Sequence, residues 1–268
     1  MKIRHGAVAA LVLAMLPQVA HSQAARITPV LSDTMQRSCQ AETANLLTMN
    51  GGQEVVGAQP SVERQHRSLR IGRSGDARLF EQTGSGPSGD ILLRFTTTAN
   101  GVVSEASLSG SSIDAYVAAA PGADLATLAA ALADDVPERL LLGRSFVPGD
   151  NYYPEDLRRS LINRLTSGLG LPFPVNGSID VRYAGEVEDK GRRAWRFAGE
   201  MAMRGSGDAG GRPASIDQTT RVEVLHDAET GLVLSYRTEA ETRLDLDGRP
   251  YTALRTTDAF DCDIVPVS

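Results

Sequence analysis

The amino-acid sequence predicts an α+β chain, in which a large curved antiparallel sheet of about nine strands wraps two or three mid-chain helices. Three observations carry this expectation. Long period-2 stretches fill the C-terminal half, shorter alternating stretches fill the N-terminal half, and an Ala- and Leu-rich run from Ala115 to Gly143 separates them. Strands, then helices, then strands is the order that lays helices on one face of an antiparallel sheet.

Residues 1–22 read as a signal peptide. Lys2 and Arg4 make a basic start, Gly6 to Leu16 an apolar run, and the small residues around Ala20-His21-Ser22 a cleavage end. Eleven residues are too few to span a bilayer, which needs ~20; the alternative is a retained N-terminal anchor. Residues 23–268 are expected to form a single domain, periplasmic or secreted, with no transmembrane span. Removing Lys2 and Arg4 takes the formal charge from -6 to about -8. An acidic chain of this kind argues against nucleic acid and anionic lipid surfaces as partners. The two cysteines, Cys39 and Cys262, sit near the two ends, and in an oxidising compartment they are expected to form a disulfide. The alternative is two separate buried thiols.

Strands are expected near His66–Gly72, Arg78–Gln82, Asp90–Thr98 and Val102–Ser109, with turns at "RSGD", "GSGPSG" and "ANG". A helix follows Asp124, a candidate N-cap, with Leu125, Leu128, Leu132 and Val136 on one stripe. Pro137 ends it and opens the turn "PERLLLG", with Gly143 as a stop. A second helix starts at Pro154, carries Glu155 and Asp156 in its first turn, and presents Leu157, Leu161, Ile162, Leu165 and Leu169.

Beyond "LPFPVNG" the alternation is long. In "LVLSYRTEAETRLDL" one face carries Leu232, Leu234, Tyr236, Thr238, Ala240, Thr242, Leu244 and Leu246, and the other is charged. Such a strand has one buried face and one in water, and at this length it must twist and coil. Asp247-Gly248 is a two-residue hairpin signal, and "DAETG" and "DKGRR" read as further hairpin loops. Pairing His226 with Leu232 would set Val224 against Leu234 and Val222 against Tyr236. The preceding hairpin would turn Val181, Tyr183, Gly185 and Val187 inward, opposite Trp195, Phe197, Gly199, Met201 and Met203. Gly185, Gly199, Thr220, Thr238 and Ala240 form a band of small residues on that face, onto which the Ala-rich helix is expected to pack. If it packs fully the helix is a plug; if not, it is a pocket wall.

This layout, with "LPFPVNGSIDVRY", "RRAWRFAGEM" and "DAETGLVLSYRTEAETRLDLDG", resembles the half-barrel of periplasmic lipoprotein carriers of the LolA/LppX type and secreted bacterial domains of unknown function. The resemblance covers roughly Leu171 to Cys262. It implies a half-barrel-like sheet and a cavity for an apolar ligand, and carries over no catalytic residues.

Familiar chemistries find little support. "GSGPSG" and "GSGDAG" match G-x-G-x-x-G, but neither opens a helix inside a βαβ unit. "DLDG" lacks the later ligands of a calcium loop, and "DAFDCDI" reads as a solvated tail whose Asp258 and Asp263 could at most join a surface cation site. Only His66 and His226 remain after residue 22, so a hydrolase would need one of them beside a Ser and a carboxylate; His226 reads as a wet strand-end residue. No catalytic or metal-ligating residue is assigned, and no cofactor is called for. The candidate ligand-lining set is the inward aromatic, Met and aliphatic group Tyr183, Trp195, Phe197, Met201, Met203, Val222, Val224, Leu234 and Tyr236; ordinary core is the alternative. The leading functional expectation is a non-enzymatic binding or carrier module for an apolar small molecule or a lipidated envelope protein. The second is an envelope scaffold without a cavity, and the third a hydrolase.

Overall fold

The computed structural model describes residues 26–120, 122, 124–168 and 170–267. The expected signal peptide, Pro121 and Leu169 lie outside the described residues. In chain order the elements are β1 (Met35–Asn50), β2 (Gln53–Glu54), β3 (Ser61–Ser74), β4 (Ala77–Gly86), β5 (Gly89–Thr97), β6 (Val103–Ser109), α1 (Ser111–Ala119), α2 (Leu125–Asp134), a 3-10 turn Pro137–Leu141, α3 (Glu155–Gly168), β7 (Val175–Asp189), β8 (Arg192–Asp208), β9 (Pro213–Asp227), β10 (Val233–Leu246) and β11 (Arg249–Pro266). All strands belong to one antiparallel sheet in the order β6-β5-β4-β3-β1-β11-β10-β9-β8-β7, with β2 appended to β1. The sheet is open, with β6 and β7 as its edges. Both edges are occupied by helices on the inner face: α1 and α2 against β5 and β6, α3 against β7. A curved sheet clasping helices is the expected architecture, with eleven strands in place of about nine.

The main addition is β1. It has no clean alternation, since Thr43, Asn45 and Thr48 are spread over both faces, so its sequence hides it. It lies in the middle of the sheet between β3 and β11 and sets Cys39 directly opposite Cys262. The two cysteines are bonded, with Cα atoms 4.0 Å apart. The stretch "DAFDCDI" is therefore no solvated tail. It is part of β11, paired with β1 on one side and β10 on the other, and it turns Asp258 and Phe260 inward.

Turn chemistry fixes the hairpins where expected. Lys190 (φ 51°) with Gly191 (φ 76°), and Asp247 (φ 53°) with Gly248 (φ 71°), hold two successive positive φ values, which suit the right-handed twist of the flanking strands. Two bulges revise the registers. The β10 ladder shifts between Val233 and Ser235, so Val224 faces Tyr236 and Val222 faces Thr238, two residues from the expected pairing. The extra residue is Leu234, which packs with Ala194 and Leu225 in a separate cluster on the outer face. A second shift, between Tyr183 and Gly185, moves Val187 to that same outer cluster. One residue inserted in a ladder reverses every side chain beyond it.

The helices also dock differently from expectation. Asp124 caps α2, accepting from the amides of Ala126 and Thr127. Yet the fully buried side of α2 is Ala129 and Ala133, set against β5 and β6, while Leu125, Leu128 and Leu132 are half-buried. An alanine face lets a helix axis approach a sheet closely; the leucines then project sideways. The small-residue band at the other end of the sheet is not covered by α2. Gly199 has its own reason: a Cβ there would lie 1.9 Å from the carbonyl oxygen of Asp180 on β7.

Candidate functional site

Two adjoining cavities lie between the inner face and the helices. The larger, about 530 Å³, is floored by Arg37, Gln65, Arg67, Gln82, Asp258, Phe260 and Tyr236. It is roofed by Leu132, Leu140, Tyr153, Leu161 and Leu165. The second, about 260 Å³, lies between Ile162 and Leu165 of α3 and the band Thr220, Thr238 and Ala240, with Met201, Met203 and Val222. Leu165, Met201 and Tyr236 line both. The larger space lies between α2 and the 3-10 turn on one side and α3 on the other, while α3 alone roofs the second. It is a groove, not a sealed cavity: Leu165 is 41 % exposed at its mouth. Depressions of about 630 and 780 Å³ occur elsewhere; the first carries the ion pairs Arg204–Asp217 and Arg243–Asp245, and the second the pair Arg139–Asp134.

The expected lining residues divide. Met201, Met203, Val222 and Tyr236 line the groove. Tyr183, Trp195, Phe197 and Val224 line neither cavity and belong to the packed core, and Leu234 is on the other face. The segment between the 3-10 turn and α3 fills the space over the four core residues. Phe197 meets Phe146 edge-on at 5.0 Å and Tyr152 at 4.4 Å, with Tyr183 at 5.3 Å.

A buried polar layer fastens that segment to the sheet. Arg37, on β1, donates to Glu138 of the 3-10 turn at 2.6 and 3.5 Å, with both side chains essentially inaccessible to water. The same carboxylate accepts the Val233 amide at 3.1 Å. Beside it, Nδ1 of His226 is 2.9 Å from the Gly231 carbonyl oxygen. A carbonyl only accepts, so Nδ1 carries a proton; Nε2 lies 2.7 Å from the Tyr152 hydroxyl, which also donates to the Pro137 carbonyl oxygen at 3.1 Å. His226 is thus fully buried, not wet, and burial lowers its pKa to about 4 despite the nearby Glu138 carboxylate. Burial favours its neutral form, and its position in the core makes it a structural group.

His66 sits on the outer face, where Nε2 is 2.8 Å from the Ser38 hydroxyl. Among the described residues no carboxylate hydrogen-bonds to this pair, and the sheet offers it no cleft. Sequence reasoning missed Arg37, Arg67, Tyr153 and Phe260. Arg37 and Arg67 look like ordinary strand cations, and only the sheet order brings them to the groove. "NYYPED" was the one legible signal: two aromatics in front of a helix start are costly to leave in water.

No family model matches the chain, and neither does any curated protein. Among the described residues no helix is long and apolar enough to cross a membrane. Among solved structures the chain is similar to an outer membrane channel from Pseudomonas putida F1, at 9% identity over 88% of this chain and 98% of that one. The TM-score is 0.18, at which the likeness carries no argument about fold or function.

Proposed function

We propose that the chain is a non-enzymatic binding or carrier module for a small amphiphile with an apolar chain. The groove between α3, α2 and the inner sheet face supports this reading. Its about 530 Å³ falls within the ~300–1,000 Å³ of small-molecule sites. One side is aliphatic, from Leu132, Leu140, Leu161 and Leu165, and it runs on over Met201 and Met203, whose flexible side chains adapt to varied apolar shapes. The Cys39–Cys262 bridge supports work in an oxidising compartment, periplasmic or extracellular.

The test is native mass spectrometry of the full chain, exported to a bacterial periplasm and purified without detergent. A co-purifying amphiphile, displaced by Met201→Trp or Leu161→Trp, is the expected result. A bare mass in every preparation, with no uptake of added single-chain amphiphiles, would sink the carrier reading.

A further inference from the structure

We propose that the groove recognises a zwitterionic headgroup, its anionic part on Arg67 and its cationic part toward Asp258; this rests on the carrier reading above. Four charged side chains line the larger cavity: Arg37, Arg67, Asp135 and Asp258. Two are already neutralised. Arg37 is ion-paired with Glu138 at 2.6 Å, and Asp135 lies 3.3 Å from Arg164 of α3. Arg67 and Asp258 are not. Among the described residues, neither has an opposite charge within 4.0 Å.

Both are half-buried, so water screens them only in part. Arg67 has only weak internal partners: Nε and Nη2 lie 3.4 and 3.3 Å from the Gln65 side-chain oxygen. Its guanidinium carbon is 5.9 Å from the Phe260 ring centre. Asp258 accepts one hydrogen bond, from the Thr43 hydroxyl at 2.9 Å, which leaves most of its acceptor capacity free. The two charges are held apart by architecture. Phe260 is stacked on Tyr236 at 4.9 Å, with Arg67 over one end of this aromatic floor. Asp258 is two residues from Phe260 along β11 and on the same face.

A purely anionic headgroup would meet Asp258 unfavourably, and a purely cationic one would meet Arg67. A headgroup carrying both signs offers charge-assisted hydrogen bonds to the guanidinium and an ion pair to the carboxylate. Its apolar chain then leads past Leu161, Leu165 and Met201 into the second cavity over Thr220, Thr238 and Ala240.

Calorimetry on the full chain, with dodecyl probes kept below micelle formation, tests this. Dodecylphosphocholine is expected to bind about tenfold or more tighter than dodecyl maltoside, and tighter than dodecyl phosphate or dodecyltrimethylammonium, as charged hydrogen bonds imply. Arg67→Gln should collapse the preference for phosphocholine over maltoside, and Asp258→Asn should shift the preference toward dodecyl phosphate. Equal binding of phosphocholine and maltoside by the unaltered chain overturns the headgroup assignment and leaves the carrier reading standing. So does tighter binding of dodecyl phosphate. No binding of any probe overturns both. The comparison of probes on the unaltered chain needs no variant to fold.

Discussion

Three buried side chains, Arg37, Glu138 and His226, show how much of this molecule's cohesion rests on single groups. Removing Glu138 would leave the Arg37 guanidinium charged, dry and without its partner, and would also take the acceptor from Val233. Breaking a buried pair from one side is far more harmful than replacing both members. His226 makes a pH prediction whose sign follows from burial. Its folded pKa is about 4, against 6.5 for an ordinary imidazole. Between those values the unfolded chain takes up a proton that the folded chain refuses. The contribution of His226 is therefore fully present above about pH 6.5 and declines as the pH falls toward 4, at roughly 1.4 kcal/mol per pH unit. Tyr152, Glu138 and Arg37 are the groups that face it. Urea midpoints of the native chain should drop from about pH 7.5 to about pH 5 by more than those of His226→Gln. Equal drops would show that the imidazole is not held neutral.

Elements are positioned here by close backbone approach as much as by hydrophobic stripes. Ala129 and Ala133 bring α2 onto β5 and β6; Gly199 lets β7 and β8 meet where no side chain fits. Gly199→Ala should therefore destabilise the chain by roughly 2–3 kcal/mol or more, because its methyl group meets backbone and not a flexible side chain. Thermal unfolding unchanged by that substitution would mean that the two strands can part at no cost. The bulges act at the same scale. Tyr236 and Met201 face the groove because alternation is intact along those parts of β10 and β8, whereas Leu234 and Val187 lie at or beyond a bulge and change face. Alternation in a sequence gives parity but does not mark where the count slips, since a bulge needs only a locally tolerant backbone.

Across the whole molecule the decisive feature is that the sheet runs outward in both directions from its first and last strands. β1 and β11 pair in the middle, so the first and last strands are neighbours in space though far apart in sequence. The Cys39–Cys262 bond closes that contact over a separation of 223 residues. In the chain-entropy account a loop of that size restrains the unfolded chain by up to ~5 kcal/mol. Replacing both cysteines by Ala should lower the urea midpoint correspondingly, and a midpoint equal to that of the bonded chain would place the stability of the β1–β11 contact in the ladder alone. The helices then fill only part of the concavity, which is why a groove remains over Thr220, Thr238 and Ala240.

The sequence by itself determined the class of the fold, the long hairpins with their Lys190-Gly191 and Asp247-Gly248 turns, the cap at Asp124, the two helices after it and the pairing of the two cysteines. These follow from local rules: period, turn conformation, capping, and a redox argument that needs only a count. Only the tertiary structure decided which half of the sheet α2 covers, that "DAFDCDI" is a central strand, and that Arg67 and Asp258 share one groove with Tyr236 and Phe260. Arg67 and Asp258 lie 191 positions apart in sequence, and neither residue is unusual within its own strand. Their juxtaposition is a property of strand order and register, which long-range pairing sets and local pattern does not encode.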